Sequence, residues 1–136
     1  MRIFLDANIF LYAAGAAHCL KPVCAQLLDR VAAGSLDAIT SVEVIQEILH
    51  VYSRRGDSRV AAALGVRSAM LFPDLLSVHR EDVLAACQLM QRYPGLSSRD
   101  AVHVASMLAN GITRITSTDS DFDRVKEIQR IPPERV

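Results

Sequence analysis

Hydrophobic positions along the chain come in short runs whose period alternates between that of a strand and that of a helix. Ile3-Phe4-Leu5 is a β-prone triplet that stops at Asp6-Ala7-Asn8, which is turn and N-cap chemistry, before a second apolar stretch from Ile9 to Ala14. This predicts strand, loop, helix. From Pro22 to Ala33, Val23, Leu27, Leu28 and Val31 recur at helical spacing, with Pro22 suited to a first turn and Gly34 following the end. Ala38-Ile39-Thr40 reads as a brief strand, and Ser41 opens a helix running to about Arg54, ahead of Gly56. Arg59 to Leu71 is alanine-rich and helical in character, and it ends before Pro73. Leu75-Leu76-Ser77-Val78 reads as a third strand. Glu81 to Arg92 is helical, with Val83, Leu84, Cys87 and Met90 on one stripe, and Pro94-Gly95 breaks it. Ser97 or Ser98 caps a helix from about Arg99 to Ala109; Asn110-Gly111 ends it, Ile112 to Thr116 is strand-like, and Ile128 to Ile131 offers one more short strand. Strands alternating with helices predict an α/β fold, a parallel sheet covered on both faces with its site at the carboxyl ends of the strands.

Composition narrows the class. A chain of 136 residues, 51% hydrophobic and 22% charged, fits one domain over 1–136 and buries a core without staples. No stretch approaches the roughly 18 uncharged apolar residues of a spanning helix, so no membrane role is expected. Fifteen basic residues balance fifteen acidic ones, so any nucleic-acid surface must be a local patch. Cys19, Cys24 and Cys87 are odd in number, lack metal-ligand spacing and sit among apolar neighbours, which reads as small core hydrophobes in a cytoplasmic, reducing setting.

Acids at strand ends are the residues to examine, because loops leaving the carboxyl edge converge. Asp6 follows the first strand, Asp119 follows the Ile112 to Thr116 strand, and Asp100 lies in the first turn of a late helix; Glu47 is the fourth candidate. Taken singly, each has an ordinary explanation. Asp6 or Asn8 caps a helix, Ser97-Ser98-Arg99-Asp100 is a capping arrangement, and Glu43, Glu47, His50 and Arg54 make a solvated stripe opposite Val42, Ile45, Leu49 and Tyr52. Turn-forming aspartates account for Asp119, Asp121 and Asp123.

Their joint order is more specific. Asp6-Ala7-Asn8, Glu47 in Gln46-Glu47-Ile48-Leu49, Ser98-Arg99-Asp100-Ala101 and Ser117-Thr118-Asp119-Ser120-Asp121-Phe122-Asp123 together resemble a PIN domain over essentially the whole chain. Length and layout resemble, more narrowly, the VapC type, the toxin half of bacterial toxin and antitoxin pairs. The resemblance implies a three-layer α/β/α fold with a short central sheet. It also implies a pocket in which Asp6, Glu47, Asp100 and Asp119 bind Mg²⁺ or Mn²⁺ and cut single-stranded RNA. Asp121 is the alternative for the last acid and Glu43 for the second, while Asn8 and Ser117 fit the family's supporting polar places. An antitoxin across the acidic groove and a homodimer are implied partners.

The chemistry suits that assignment, since Mg²⁺ takes oxygen ligands and keeps several waters, so a few carboxylates suffice. One ion or two is left open. Arg99 beside Asp100, and Arg54, Arg55 and Arg59 near the end of the Glu47 helix, are candidate contacts for an RNA backbone. Tyr12 and Tyr52 are candidates for base stacking, Tyr52 reading better as core. His103 shares a helix face with Asp100 and reads as packing or a hydrogen bond near the site. Two rival readings stand beside the nuclease: a PIN fold that binds without cutting, and a haloacid-dehalogenase-like phosphatase. The phosphatase reading expects an aspartate where Asn8 stands. The helix from Arg59 to Leu71, with Val60, Leu64 and Met70, is a candidate dimer interface.

Overall fold

In the computed structural model, which describes Met1–Val136, β1 (Ile3–Leu5), β2 (Ala38–Ile39), β3 (Arg114–Thr116) and β4 (Gln129–Ile131) form one parallel sheet in the order β2-β1-β3-β4. Six helices flank it in a three-layer α/β/α arrangement: α1 (Ala7–Ala14), α2 (Lys21–Ala32), α3 (Val42–Arg54), α4 (Ser58–Met70), α5 (Arg80–Arg92) and α6 (Ser98–Ala109). β1 and β3 are central, and Phe4, Leu5 and Ile115 are fully buried, as continuous apolar runs in a doubly covered sheet should be. Sequential connections leave β1 toward β2 on one side, while β3 and β4 lie on the other. The switch in direction therefore falls between β1 and β3, where Leu5 is in register with Thr116.

Three expectations are corrected. Leu75-Leu76-Ser77-Val78 is not a strand: it makes a single parallel bridge, Ser41 with Leu76, through Leu76 N–H to Thr40 O (2.9 Å) and Val42 N–H to Leu76 O (2.9 Å). The reason is the partner, which turns into α3 at Val42 and leaves no further edge to pair. The Val83, Leu84, Cys87, Met90 stripe of α5 points outward, Leu84 being 59% exposed, while Ala86 and Leu89 face the core. Asp82 also lies inward, and its carboxylate is satisfied by the N–H of His79 at 2.8 Å, which closes the start of α5 as a capping box. Of the cysteines only Cys24 is a core residue; Cys19 and Cys87 are exposed free thiols. A 3₁₀ turn over Ser120–Arg124, absent from the sequence reading, buries Phe122 beneath the loop after β3.

The placement of α3 depends on its packing with α4. Ser41 caps α3 by accepting from Val44 N–H at 3.2 Å, and Val44 and Ile48 rather than Val42 point into the core. Gly65 of α4 sits where a Cβ would lie 2.6 Å from Leu49 Cδ2 and 3.3 Å from its Cγ, so the absent side chain lets α3 approach. Gly65→Leu should overpack this contact and cost about 1–3 kcal/mol. Gly65→Ala should be close to neutral, because a gain of up to about 1 kcal/mol in helix propensity offsets the shift of one leucine methyl. Chemical denaturation of the two variants checks the ordering, and equal midpoints would contradict it.

Candidate active site

Asp6 stands directly beyond β1, and its N–H donates to Thr116 O of β3 at 3.1 Å, which fixes it against the adjoining strand end. It is also the N-cap of α1, with Oδ1 accepting from Ala7 N–H at 2.7 Å. The other oxygen, Oδ2, accepts from Ser117 Oγ at 2.6 Å and Asn8 Nδ2 at 2.9 Å. Asn8 Nδ2 also lies 3.0 Å from Ser117 Oγ, and its carbonyl accepts from Thr118 N–H at 3.3 Å. Ser117 Oγ in turn accepts from Asp119 N–H at 3.0 Å. Asn8 and Ser117 thus tie the two strand ends together around one buried carboxylate. The capping role of Asp6 is real, but it uses only one of its oxygens.

Helices α3 and α6 bring the remaining groups across the sheet edge. His103 of α6 is fully buried, and its Nε2 lies 3.0 Å from Glu47 Oε2 and 3.9 Å from Asp6 Oδ1. Against a carboxylate the Nε2 must carry the proton. Arg99, one turn earlier on the same face of α6, sits 3.7 Å from Glu47 Oε1 and 3.8 Å from Glu43 Oε1. Glu47 is therefore not part of a solvated stripe: it turns into the pocket, while Glu43 reaches only Arg99 at the rim. Asp100 follows the N-cap Ser97, whose Oγ accepts from Asp100 N–H at 3.1 Å.

Electrostatics record the crowding. Burial pushes the Asp100 carboxyl up to about 6, and the charges of Asp6 and Asp119 push in the same direction. Burial also raises Asp6, with Glu47 adding to the shift and His103 and Ser117 opposing it. For His103, burial favours the neutral ring, but the hydrogen bond to Glu47 and the charges of Asp6, Glu47 and Asp100 together raise its pKa. Such paired perturbations mark a cluster that a cation would relieve.

Asp6 and Glu47 meet around His103 at the carboxyl edge of the sheet, Asp100 lies where the charges of Asp6 and Asp119 act on it, and Asn8 and Ser117 bond Asp6. Asp121 is exposed instead, its carboxylate 3.7 Å from Arg124 and its N–H donating to Asp119 Oδ1 at 2.9 Å. Arg54, the last residue of α3, and Arg55 after it are exposed, whereas Arg99 lies near the two glutamates. His103 makes the hydrogen bond near the site that the sequence reading expected of it, with Glu47 as the partner. Arg99 and His103 are spaced i, i+4 on α6, which sets both toward Glu47. Donor atoms of Asp6, Glu47 and His103 lie within 4.8 Å of one another. With the Nε2 proton of His103 directed at Glu47, the carboxylate oxygens are the part of this set that fits a hard divalent cation.

A parallel-sheet protein with acids gathered at the switch between central strands is, by fold and site, an α/β protein whose carboxyl edge carries a group of side chains close enough together to share a cation. The chain belongs to the PIN domain family, whose model matches residues 3–128. It is 37% identical over 134 residues to Ribonuclease VapC13 of Mycobacterium tuberculosis, covering 95% of this chain and 98% of the relative. It is 33% identical over 136 residues to Ribonuclease VapC7 of the same organism, covering 97% and 92%. Its fold is similar to that of M. tuberculosis VapC20, described as a Sarcin-Ricin loop cleaving toxin, with TM-score 0.73 at 22% identity over 91% of this chain and 95% of that one. VapBC2 from Rickettsia felis, solved bound to a DNA fragment from its promoter, gives TM-score 0.75 at 13% identity over 97% and 98%.

The raised Asp100 carboxyl has a consequence for the metal-free protein. The native state keeps a proton that the unfolded chain releases near pH 4, so this group's contribution to stability falls as pH rises from about 4 to about 6. Asp6 acts in the same direction. In EDTA, Asp100→Asn should therefore gain stability relative to the unsubstituted protein across that window and keep the gain at pH 7. Thermal unfolding at a series of pH values checks it, and a difference independent of pH would contradict it.

Proposed function

We propose that this chain acts as a single PIN domain and is a metal-dependent endoribonuclease, cleaving single-stranded RNA as the toxin of a toxin–antitoxin pair. The observation that carries the reading is the gathering of Asp6, Glu47, Asp100 and Asp119 at one sheet edge of a PIN fold. Relatives named as ribonucleases, at 37% and 33% identity over nearly the whole chain, support it. The phosphatase alternative is weaker, because Asn8 is committed through its amide to Asp6 and Ser117.

In this reading Asp6, Glu47, Asp100 and Asp119 hold Mg²⁺ or Mn²⁺. The ion, when bound, supplies an activated water and positive charge opposite the scissile phosphate. Asn8 and Ser117 keep Asp6 in one rotamer, so a ligand oxygen is presented without reorganisation. A carboxylate of the cluster takes the proton of the attacking water. Hydrolysis without a covalent intermediate then leaves one hydroxyl and one phosphate terminus. Arg54 and Arg55, exposed and without carboxylate partners, are the backbone contacts closest to this assignment, with Arg99 available once it leaves its glutamates.

The partner in this reading is an antitoxin. The fold is also similar to that of a toxin–antitoxin complex from Klebsiella pneumoniae, at TM-score 0.67. A second copy of the chain is the proposed occupant of the apolar residues that α4 leaves exposed, Val60, Val66 and Met70; Leu64, grouped with Val60 and Met70 in the sequence, is buried in the core instead. No helix is long and apolar enough to cross a membrane, and three free thiols suit the cytoplasm.

Asp6→Asn and Asp100→Asn should abolish cleavage of an RNA panel in Mg²⁺ or Mn²⁺ while leaving a folded protein. Glu47→Gln should lower the rate by roughly 10²-fold or more. Glu43→Gln, one turn away and held only by Arg99, should remain within a few-fold of the unsubstituted enzyme. Thermal stabilisation by Mn²⁺ should shrink in Asp6→Asn, Asp100→Asn and Glu47→Gln but not in Glu43→Gln. Full activity in Asp100→Asn, or equal Mn²⁺ shifts in all four, would overturn the assignment.

A further inference from the structure

Beside the acidic pocket lies a second concavity that none of its chemistry uses. It is a cleft of about 490 Å³ walled by Asn8, Tyr12, Gly15, His18 and Arg55, with small alanines between, and no carboxylate lines it. Asn8 is the shared wall: its amide bonds Asp6 on one side and borders the cleft on the other. Asn8 and Tyr12 are spaced i, i+4 on α1, so one face of the helix leads from the acids to the cleft, with Tyr12 about one helical turn along it and Gly15 just past the helix end. At its far end the rings of Tyr12 and His18 are in contact, with centroids 4.8 Å apart and planes tilted by 38°. Arg55 closes the other side. Its guanidinium is stacked over Tyr52 at 4.9 Å, which holds it in place without neutralising it.

Each feature has a chemical meaning for a single-stranded polyanion. An aromatic pair offers a π-face to an unpaired base, a fixed arginine offers charge to its phosphate, and the absence of acids removes the repulsion present next door. The volume is within the range of small-ligand sites. Stacking of this kind is sequence-tolerant, which suits a cleft whose Asn8 amide is already engaged by Asp6, Ser117 and Thr118. We propose that this cleft is a subsite for one unpaired nucleobase of the RNA strand, adjoining the cleavage site, with the base on the Tyr12–His18 pair and Arg55 at the neighbouring phosphate. The proposal rests on the ribonuclease reading for its ligand class, but its test does not require cleavage.

Single-stranded RNAs carrying one 2-aminopurine at successive positions are titrated against the full chain in EDTA. Stacking should quench the fluorescence at one position of the series. His18→Ala, at an exposed residue, and Tyr12→Leu, which keeps volume beside Ile9, Cys24 and Leu27, should lose the quench and weaken binding by about 5-fold or more. Tyr12→Phe should restore both. Arg55→Ala should weaken binding and lower its salt dependence, whereas Arg80→Ala, removing an exposed charge at the start of α5, should not. No quench at any position, or unchanged quench and affinity in His18→Ala and Tyr12→Leu, overturns the subsite. The same RNAs with Mn²⁺ keep the two readings apart: cleavage with a Tyr12-independent quench defeats the subsite alone, and a Tyr12-dependent quench without cleavage upholds the subsite and defeats the nuclease.

Discussion

Everything at the carboxyl edge of the sheet is arranged around one expensive act, the burial of the Asp6 carboxylate. A charged group taken from water is tolerated only when its lone pairs are met, and here they are met from three directions: the N–H of Ala7, the amide of Asn8 and the hydroxyl of Ser117. Two of those donors come from the first turn of α1 and one from the residue that follows β3. The parallel register of β1 with β3 is therefore a condition of the site and not merely of the core. A slip of one residue would turn Ser117 to the other face of the sheet and leave Asp6 short of a donor.

From that fixed point the distant helices follow. α3 and α6 must cross close enough for Glu47 and His103 to meet at 3.0 Å, and the sequence devotes small or capped positions to this approach: Gly65 against Leu49, Ser41 and Ser97 at the two N-caps, Ala101 and Ala105 in the buried face of α6. Apolar packing supplies the stability that allows acids of like charge to be held together. Helix caps do the same work more cheaply, since Asp6 and Asp119 each close a helical turn and also face the pocket. Capping and site chemistry are alternatives only when a residue is considered alone. A carboxylate has two oxygens, and one of each pair suffices for the cap.

This explains which parts of the protein the sequence made legible. The central strands and most helices could be read because their periodicity is local, and Asp6, Asp100 and Asp119 because they sit at predictable ends. Leu75-Leu76-Ser77-Val78 failed because strand character is not enough without a partner edge, and the edge was consumed by α3. The α5 stripe failed because apolar spacing identifies a face without saying which way it points. There the smaller face, with Ala86 and a capped Asp82, won the interior by allowing closer approach to α6. For His103 a hydrogen bond near the site was legible but its partner was not: Glu47 is 56 residues away and on another helix, so no local pattern announces the pair.

The two oxygens of Glu47 show what the arrangement accomplishes. Oε2 is held by the His103 imidazole at 3.0 Å, which fixes the carboxylate plane, while the nearest cation to Oε1 is Arg99 at 3.7 Å, beyond hydrogen-bond range. One oxygen is thus oriented and the other remains available to a ligand. Had Arg99 approached to a bidentate pair, both oxygens would be spent and the cluster would be a structural ion network. Had His103 been apolar, Glu47 would keep several rotamers on a partly exposed helix face and would pay for being ordered at the moment of binding. A single short bond from a fully buried ring, set against a looser contact from an arginine that Glu43 shares, keeps the acid both fixed and free to coordinate.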